Sequence, residues 1–418
     1  MYEKITLPNG ARIVTERIPY VRSAAVGIWI GAGSRLETPL ENGACHFIEH
    51  LLFKGTERRT AMNLAEEMDA IGGQMNAFTT KECTCFYGRV LDTNLKKALD
   101  ILFDMFLNAK LRDEDVESER GIIEEEIDMY EDTPEDLVTE RLLEKIYTGG
   151  PLEKPILGTK ESLAEMDGSF LREFRARTHT ADRIVVALSG SFDDTDVDFI
   201  RLALEGLTPG QPAETAEAVY QPAYTVREKP IEQNHLCFAF PGLPIGHPDR
   251  YAMQLLSNIL GGGMSSRLFQ KVREENSLCY SIYSFGSGYR DTGVLGIYTA
   301  LGADTEELAL KLSAEVIEAF RRDGVTRAEL SRAREQVKSN ILMGLESTNA
   351  RMNKIGKNEL YLGKIPSTEE TVAAYDAVTE ADILTLARRV LDFDKLSFSA
   401  VGQVRDPETY RRMFPHGM

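Results

Sequence analysis

The chain has 418 residues, of which 43% are hydrophobic and 27% are charged, and its formal net charge at pH 7 is −18. This length exceeds what one ordinary hydrophobic core holds, so we expect two or more domains. The acidic balance argues against a nucleic-acid-binding protein, which would present a basic surface. No apolar run reaches the roughly eighteen residues of a membrane span, so none is predicted.

The amino-terminal segment does not have the order of a secretory signal, in which basic residues precede an apolar run. We therefore expect a bacterial cytoplasmic protein, with a mature organellar form as the alternative. The five cysteines are scattered at positions 45, 83, 85, 237 and 279, a pattern typical of reduced core thiols. Cys83 and Cys85 alternate along a strand-like run and could bind a metal, although no second cysteine pair accompanies them.

Apolar periodicity and capping signals predict the elements in chain order. The first half begins with a strand at Ala24–Ile30 and ends with one at 184–188. The corresponding strands of the second half are 236–240 and 396–400. The predicted helices are 43–53, 61–71, 93–108 and 113–130 in the first half and 249–259, 266–274, 305–321 and 327–346 in the second.

The chain is predicted to be a duplication. The segment from Met166 to Gly190, a helix followed by a strand, reappears 212 residues later from Val378 to Gly402 with the same placement of apolar residues and terminal glycine. A Pro- and Ala-rich linker at 210–222 separates a domain at 1–209 from a domain at 223–418. The predicted fold class is α+β, with two homologous domains that each pack helices on one face of a mostly antiparallel sheet.

The stretch His46-Phe47-Ile48-Glu49-His50 is the main chemical signal. On a helix, positions i, i+3 and i+4 share one face, so the two imidazoles and the carboxylate would project together. Two neutral imidazoles can hold a zinc ion, and a carboxylate beside them can accept a proton from water. The order is that of the inverzincin motif. Two ordinary core or surface histidines are the alternative interpretation.

A third metal ligand is predicted on the helix near 113–130, since a catalytic zinc has three protein ligands and one open position. Ile122, Ile123 and Ile127 predict its buried face, and Glu119 and Glu126 lie two turns apart on the side of Ile123. A carboxylate beside an apolar stripe is costly to bury unless it is paired or coordinated. We therefore predict Glu126 as the third ligand and Glu119 as an acceptor that orients a histidine. A solvated acidic helix face is the alternative.

These residues resemble those of the pitrilysin family of zinc peptidases, in the branch of the mitochondrial processing peptidases and their bacterial homologues. In that family the third ligand follows the inverted motif by some 76 residues, as Glu126 follows His50, and a glutamate precedes it by seven residues, as Glu119 does. The resemblance extends over the whole chain. It implies one zinc ion per chain and catalysis by Glu49. No histidine lies near the positions equivalent to the motif in the second half, so only the first half is expected to bind metal.

The resemblance also implies a substrate-binding strand. The segment Gly72-Gly73-Gln74-Met75-Asn76-Ala77-Phe78 follows a predicted helix end, and by itself it indicates only a helix stop and a strand. In the family the matching segment is an edge strand to which an extended peptide adds. Asn76, Ala77 and Phe78 would then bind substrate through backbone hydrogen bonds.

A second implied feature lies in the second half, where Arg273 and Tyr280 are seven residues apart. By themselves they indicate a surface arginine and a half-buried strand tyrosine. In the family such a pair faces the zinc from a different domain, where the tyrosine stabilises the developing oxyanion and the arginine holds substrate backbone. Because this chain has two domains, the resemblance implies a dimer, most simply a homodimer, with active sites composed from both chains.

The predicted function is zinc-dependent endopeptidase hydrolysis of unfolded or extended peptides inside a closed dimer cavity. A non-catalytic structural or peptide-binding subunit of a processing-peptidase-like complex is the alternative. The physiological substrate, the cleavage preference and any heterodimer partner are not encoded in a form that the sequence reveals.

Overall fold

In the computed structural model, residues 2–210 and 216–415 are described, and their strands form two sheets. The strands are β1 (Tyr2–Thr6), β2 (Arg12–Arg17), β3 (Ser23–Ile30), β4 (Gln74–Thr79), β5 (Thr84–Leu91), β6 (Ile184–Gly190), β7 (Tyr224–Glu228), β8 (Asn234–Pro241), β9 (Cys279–Gly288), β10 (Gly293–Leu301) and β11 (Ser397–Gly402). All four predicted strands are present, each within two residues of its expected start.

The helices confirm every predicted helix of the first half and add several that the periodicity did not indicate. They are α1 (Ala44–Leu52), α2 (Ala61–Ala70), α3 (Leu95–Asn108), α4 (Asp113–Glu131), α5 (Pro134–Ile146), α6 (Lys160–Ala164), α7 (Gly168–Thr178), α8 (Asp194–Glu205), α9 (Arg250–Gly261), α10 (Glu306–Asp323), α11 (Arg327–Gly344), α12 (Thr348–Leu362), α13 (Thr368–Ala377), α14 (Glu380–Val390) and α15 (Pro407–Met413). The helix predicted at 266–274 contains a π-helical segment, Phe269–Glu274. Among the described helices, none is long and apolar enough to cross a membrane.

The described chain divides into two compact units, and neither is a continuous half. The first unit runs to Asp128, resumes at Lys154 as far as the linker and includes Met343–Pro366. The second comprises Met129–Glu153, Ala216–Leu342 and the chain from Ser367 onward. Helix α5 therefore belongs with the second unit and α12 with the first, so the contiguous division into 1–209 and 223–418 does not describe how the chain packs.

The two sheets repeat one topology, as the predicted duplication requires. The first has the order β1-β2-β6-β3-β5-β4 and the second β7-β11-β8-β10-β9, so β7 to β10 correspond to β2 to β5 with β11 in the place of β6. In each sheet one pair is parallel, β2 with β6 and β7 with β11, and the other pairs are antiparallel. Gly190 and Gly402 end the matched strands at φ values of 123° and 140°. A side chain at either position would strike the neighbouring strand, which explains why both copies retain glycine.

In the first unit both faces of the sheet are buried. Along β3, Val26 and Ile28 point into the core formed with α1, α3 and α7, while Trp29 points to the opposite face. That opposite face is covered by Met352 and Ile355 of α12. The period-two alternation of a strand produces these two apolar surfaces, and each buried side chain of this size contributes about 1.5–3 kcal/mol.

The second unit is built in the same way. Along β8, Phe238 and Phe240 face the core shared with α9 and α14, and Cys237 faces the other way. Val138 and Leu142 of α5 cover that second face. The α+β prediction is confirmed, but the expectation of helices on one face alone is corrected, since a single helix also covers the opposite face of each sheet.

The linker and the cysteines complete the comparison with the predicted organisation. Residues 211–215 of the predicted linker lie outside the described residues, whereas its end is packed: the Ala218 N–H donates to Asp291 and the Tyr220 hydroxyl donates to the Ala239 carbonyl. All five cysteines are free and four are buried. Cys83 and Cys85 lie in the same apolar cluster, as their alternation predicted.

Candidate metal centre

Helix α1 carries the first part of the site, and its start is fixed by an unusual cap. Gly43 precedes the helix at φ 99°, in the left-handed region, and has no side chain with which to cap it. The buried Glu37 carboxylate does so instead, accepting hydrogen bonds from the N–H groups of Gly43 and Cys45, both at 2.8 Å. Those N–H groups are otherwise unpaired at a helix start, so this carboxylate anchors the turn that bears His46.

The structure brings His46, His50 and Glu126 together. The Glu126 Oε2 lies 3.6 Å from His46 Nε2 and 3.7 Å from His50 Nε2. In the part of the chain that the structure describes, this is the one group of three or more potential metal-ligating side chains. A tetrahedral zinc with bonds of about 2.0–2.1 Å separates its ligand atoms by about 3.3 Å, close to these distances.

The protonation states suit a metal as well. His46 is 7% exposed, and burial, with a smaller contribution from His50, lowers the pKa of His46 to about 3. The imidazole is therefore neutral at neutral pH, with a lone pair available for coordination. Its Nδ1 is buried without a hydrogen-bond partner in the described chain. The donor set of two imidazoles and one carboxylate is that of catalytic zinc sites and leaves one coordination position open.

His50 is oriented by a buried carboxylate. Its Nδ1 lies 3.1 Å from Glu119 Oε2, and Glu119 is 2% exposed. The other carboxylate oxygen, Oε1, lies 2.5 Å from the Lys54 ammonium. A proton on Nδ1 donated to Glu119 leaves Nε2 free to face Glu126, which is the arrangement by which outer carboxylates hold metal-binding histidines.

Glu49 lies on the same helix and has its own partner. The Thr79 hydroxyl donates to Glu49 Oε2 at 2.5 Å. Burial raises the pKa of Glu49 above its ordinary value, and the Thr79 hydrogen bond acts in the opposite direction. Glu49 is thus a partly buried carboxylate beside the metal-ligating cluster, as expected for a group that exchanges protons with a substrate.

The predicted substrate strand, β4, is an edge strand of the first sheet, hydrogen-bonded only to β5 among the described strands. Asn76 is exposed, and its Oδ1 accepts from the Ala77 N–H at 2.8 Å. The Phe78 ring packs edge-on against Trp29, with centroids 5.5 Å apart, so its side chain anchors the strand to the sheet. An exposed edge of this kind can pair with an extended chain.

Arg273 and Tyr280 lie in the second unit and are close to each other. The Arg273 guanidinium stands 5.3 Å from the centroid of the Tyr280 ring and 4.6 Å from that of Phe269. The π-helical turn that carries Arg273 packs on β9, which begins beside Tyr280. Tyr280 is 76% exposed, unlike the half-buried residue that the strand pattern indicated.

One sequence expectation about α4 is wrong. Ile122 is 45% exposed, whereas Ile123 is fully buried and Ile127 packs against the core. The buried face of α4 runs through Val116, Glu119 and Ile123. Three isoleucines in a helix cannot all share one face when two of them are adjacent, because successive residues are separated by about 100°.

Sequence reasoning also missed three residues that hold the site together: Glu37, Lys54 and Thr79. Each acts through a contact between segments that are distant in sequence. Thr79 immediately follows the predicted substrate strand, and Lys54 lies one turn beyond His50, but neither position carries a pattern that specifies its partner.

Comparison with known proteins agrees with this geometry. Residues 12–160 match the insulinase family (peptidase family M16), and residues 168–337 match the peptidase M16 inactive domain. The chain is 42% identical over 398 residues to an uncharacterized zinc protease of Bacillus subtilis, covering 94% of this chain and 97% of that protein. It is 40% identical over 420 residues to an uncharacterized zinc protease of Streptomyces coelicolor, covering 98% and 91%.

The fold is found in solved structures too. The crystal structure of a peptidase M16 inactive domain from Pseudomonas fluorescens superposes with a TM-score of 0.90 at 20% identity, covering 97% of this chain and 98% of that one. At that identity the likeness concerns the fold alone. The matches to both halves and the identity to the curated relatives go further, and together they show that this chain belongs to peptidase family M16.

Proposed function

We propose that this chain is a zinc-dependent endopeptidase that hydrolyses unfolded or extended peptides. The observation that carries the proposal is the convergence of His46, His50 and Glu126 around one point, with Glu49 on the same helix face. Zinc, when bound there, supplies positive charge that polarises a peptide carbonyl and makes a nearby water more acidic. One ion per chain is expected, because the described residues contain one such cluster.

Glu49 is the proposed general base and acid. Its Oε2 accepts the Thr79 hydroxyl, and Oε1 has no hydrogen-bond partner within the described chain, so Oε1 is available to a water molecule. Glu49 takes a proton as the water oxygen forms its bond to the carbonyl carbon. It returns that proton to the amide nitrogen as the carbon–nitrogen bond breaks, which leaves a carboxylate and an amine.

Strand β4 is the proposed substrate platform. Its free edge offers backbone groups that bind any extended peptide irrespective of sequence, with Asn76, Ala77 and Phe78 nearest the bond to be cleaved. The Ala77 N–H is held by the Asn76 side chain, so a bound peptide would displace that amide to reach it. Folded proteins do not present a free strand of this kind, which is why the substrate class is unfolded or extended peptide.

The proposed assembly is a homodimer with composite active sites inside a closed cavity. Arg273 and Tyr280 of one chain would serve the metal site of the other, Tyr280 donating to the developing oxyanion and Arg273 holding substrate backbone. The exposed Tyr280 hydroxyl and the mutual packing of the two side chains support this role. The resemblance to processing peptidases supplies the arrangement.

The first test uses the purified full-length protein and a mixture of quenched fluorescent peptides. Glu49→Gln is expected to retain one zinc per chain and to lose peptide cleavage by a factor of about a thousand. A chelator should abolish cleavage by the native protein, and added zinc should restore it. Zinc binding without chelator-sensitive cleavage would instead support the alternative of a structural or peptide-binding subunit.

The second test addresses the composite site. Glu49→Gln and Tyr280→Phe chains, each of low activity alone, are mixed under conditions that allow subunit exchange. If active sites combine two chains, mixed dimers contain one site with both native groups and recover up to about half of one native site per dimer. Activity that never rises above that of the separate variants would contradict the composite arrangement.

A further inference from the structure

We infer that Thr79 is the positioning residue of the catalytic carboxylate: its hydroxyl holds Glu49 Oε2 so that Oε1 alone receives the proton of water. The inference rests on the proposed peptidase function and specifies how the site sets the direction of its base. No metal chemistry is required for the contact itself, which is a hydrogen bond of 2.5 Å between a strand and a helix.

The neighbouring hydroxyl fixes the direction of this hydrogen bond. Thr84 lies opposite Thr79 across the β4–β5 pair, and the two hydroxyl oxygens are 3.4 Å apart. The Thr84 hydroxyl donates to the Ala32 carbonyl at 3.0 Å, so its single proton is already used. Thr79 therefore has its own proton for Glu49, and the carboxylate oxygen is the acceptor.

The contact matters because α1 alone does not fix the orientation of Glu49. The helix sets the position of the Cα atom, but the terminal torsion of a glutamate is broad and roughly two-fold, so both oxygens exchange places easily. A hydroxyl on a rigid strand removes that freedom. The Thr79 backbone is held by pairing with β5, and the adjacent Phe78 is anchored on Trp29.

The position of Thr79 also links the base to the substrate platform. Thr79 is the last residue of β4, the strand proposed to pair with peptide, and its side chain reaches the base directly. Substrate affinity depends on the backbone edge of β4, whereas the Thr79 hydroxyl acts on the protonation step. Loss of the hydroxyl should consequently lower kcat and leave KM and zinc affinity unchanged.

The test compares Thr79→Val, which keeps the shape and removes the hydroxyl, with Thr79→Ser, which keeps the hydroxyl. For Thr79→Val we expect kcat to fall about tenfold to a hundredfold, the usual scale for a partner that orients a catalytic group, with KM and zinc affinity within about twofold of native. Thr79→Ser should stay within about threefold of native in kcat. Thr84→Val is the matched control, because it removes a buried hydroxyl from the same strand pair without removing a partner of Glu49.

A double variant sharpens the test. If Thr79 acts through Glu49, then adding Thr79→Val to Glu49→Gln lowers the residual cleavage no further, whereas independent roles would multiply. Should Thr79→Val fail to fold, Thr79→Ala carries the same comparison, with circular dichroism and zinc titration as checks of the fold.

The inference is overturned if Thr79→Val retains kcat within threefold of native, if its loss of activity follows a loss of zinc, or if Thr79→Ser is as impaired as Thr79→Val. Inactivity of Glu49→Gln combined with a fully active Thr79→Val would remove Thr79 and leave the peptidase proposal intact. A native protein that cleaves no peptide would remove both.

Discussion

The two units share one sheet order but differ where a helix meets the edge strand. In the first unit, α1 lies against β4 and presents His46, Glu49 and His50; in the second, the corresponding α9 lies against β9. At the equivalent positions, 212 residues further along, α9 has Asn258, Gly261 and Gly262. The same architecture therefore holds a metal-ligating cluster in one copy and amide and backbone groups in the other.

The second copy has space at this place but different chemistry. A cavity of about 540 Å³ is lined by amide and hydroxyl side chains of α9, β9, α11 and α13, among them Gln254, Ser257, Asn258, Ser284, Asn340 and Tyr375. Neutral amides and hydroxyls are poor ligands for zinc, which prefers imidazole, thiolate and carboxylate. Catalytic identity in this fold therefore depends on a few side chains placed on a repeated scaffold.

The glycine of α9 adds a steric reason. Gly261, which stands where the first unit has Glu49, lies so close to β9 that a Cβ atom would be 2.5 Å from the Ser284 nitrogen. The helix and the edge strand touch directly at this point. The second copy thus has no room for a catalytic carboxylate at that position, whatever ligands were introduced around it.

The largest effect is expected from exchanging the two helices' roles in a matched pair of variants. His46→Ala should lower peptide cleavage by about a thousandfold or more and abolish stoichiometric zinc, because a ligand of the cluster is lost. Asn258→Ala, at the equivalent position of the second unit, should leave zinc at one per chain and cleavage near the native rate. Zinc content by atomic emission and cleavage of a quenched peptide measure both. A similar loss in the two variants would contradict the asymmetry of the units.

The next effect concerns the orienting carboxylate, which the second unit has no need of. Glu119→Gln should weaken zinc binding about tenfold to a hundredfold, because His50 loses its charged acceptor and Lys54 its partner. Competition with a chromophoric chelator measures the affinity. Glu117→Gln is the control, since Glu117 lies on the same helix and is exposed and paired with Arg120. Equal affinities for the two variants would show that Glu119 does not support the metal.

A smaller effect, on stability, tests the direct contact between α9 and β9. Gly261→Ala should lower the free energy of unfolding by about 1–3 kcal/mol, because its methyl group collides with Ser284 backbone. Gly121→Ala on α4 should leave it unchanged or raise it by about 0.5–1 kcal/mol, since nothing lies within 4 Å and alanine favours a helix. Urea titration monitored by circular dichroism compares them. A Gly261→Ala protein as stable as native would mean that the helix can move away from the strand.

The smallest effect is pH-dependent and belongs to the second unit alone. Hydrogen bonds from Arg267, with further ones from Thr326, lower the pKa of Glu329 to about 2 from an ordinary value of 4.5. A carboxylate with a lowered pKa in the folded state contributes stability above pH 4.5 and loses it as the pH falls toward 2. The native protein should therefore exceed Glu329→Gln by on the order of 1–2 kcal/mol at pH 6 and by little near pH 2. A difference that stays constant between pH 6 and pH 3 would contradict this.

Much of the site could be predicted from local sequence. The spacing of His46, Glu49 and His50 fixes them on one helical face, and the apolar pattern of α4 places Glu119 and Ile123 inward. That α1 and α4 bring their ligands to one point is confirmed by the structure. The exposure of Ile122 shows the limit of the method, because apolar character alone does not say which side of a helix faces the core.

The placement of α5 and α12 could not be predicted. Each has an apolar face suited to cover a sheet, Val138 and Leu142 in one helix and Met352 and Ile355 in the other, and both sheets have an apolar second face. Apolar burial is nondirectional, so a pattern of hydrophobic residues states that a helix is covered but not by which sheet.

The sequence by itself determined the duplication, the secondary structure and the metal-ligating residues, because these follow from periodicities and spacings within short segments. Only the tertiary structure decided which sheet each covering helix joins, that Glu37 caps α1, and that Thr79 reaches Glu49. The physical reason is that these contacts are made between segments far apart in the chain, and a hydrogen bond or a packed face leaves no trace in the sequence of either partner alone.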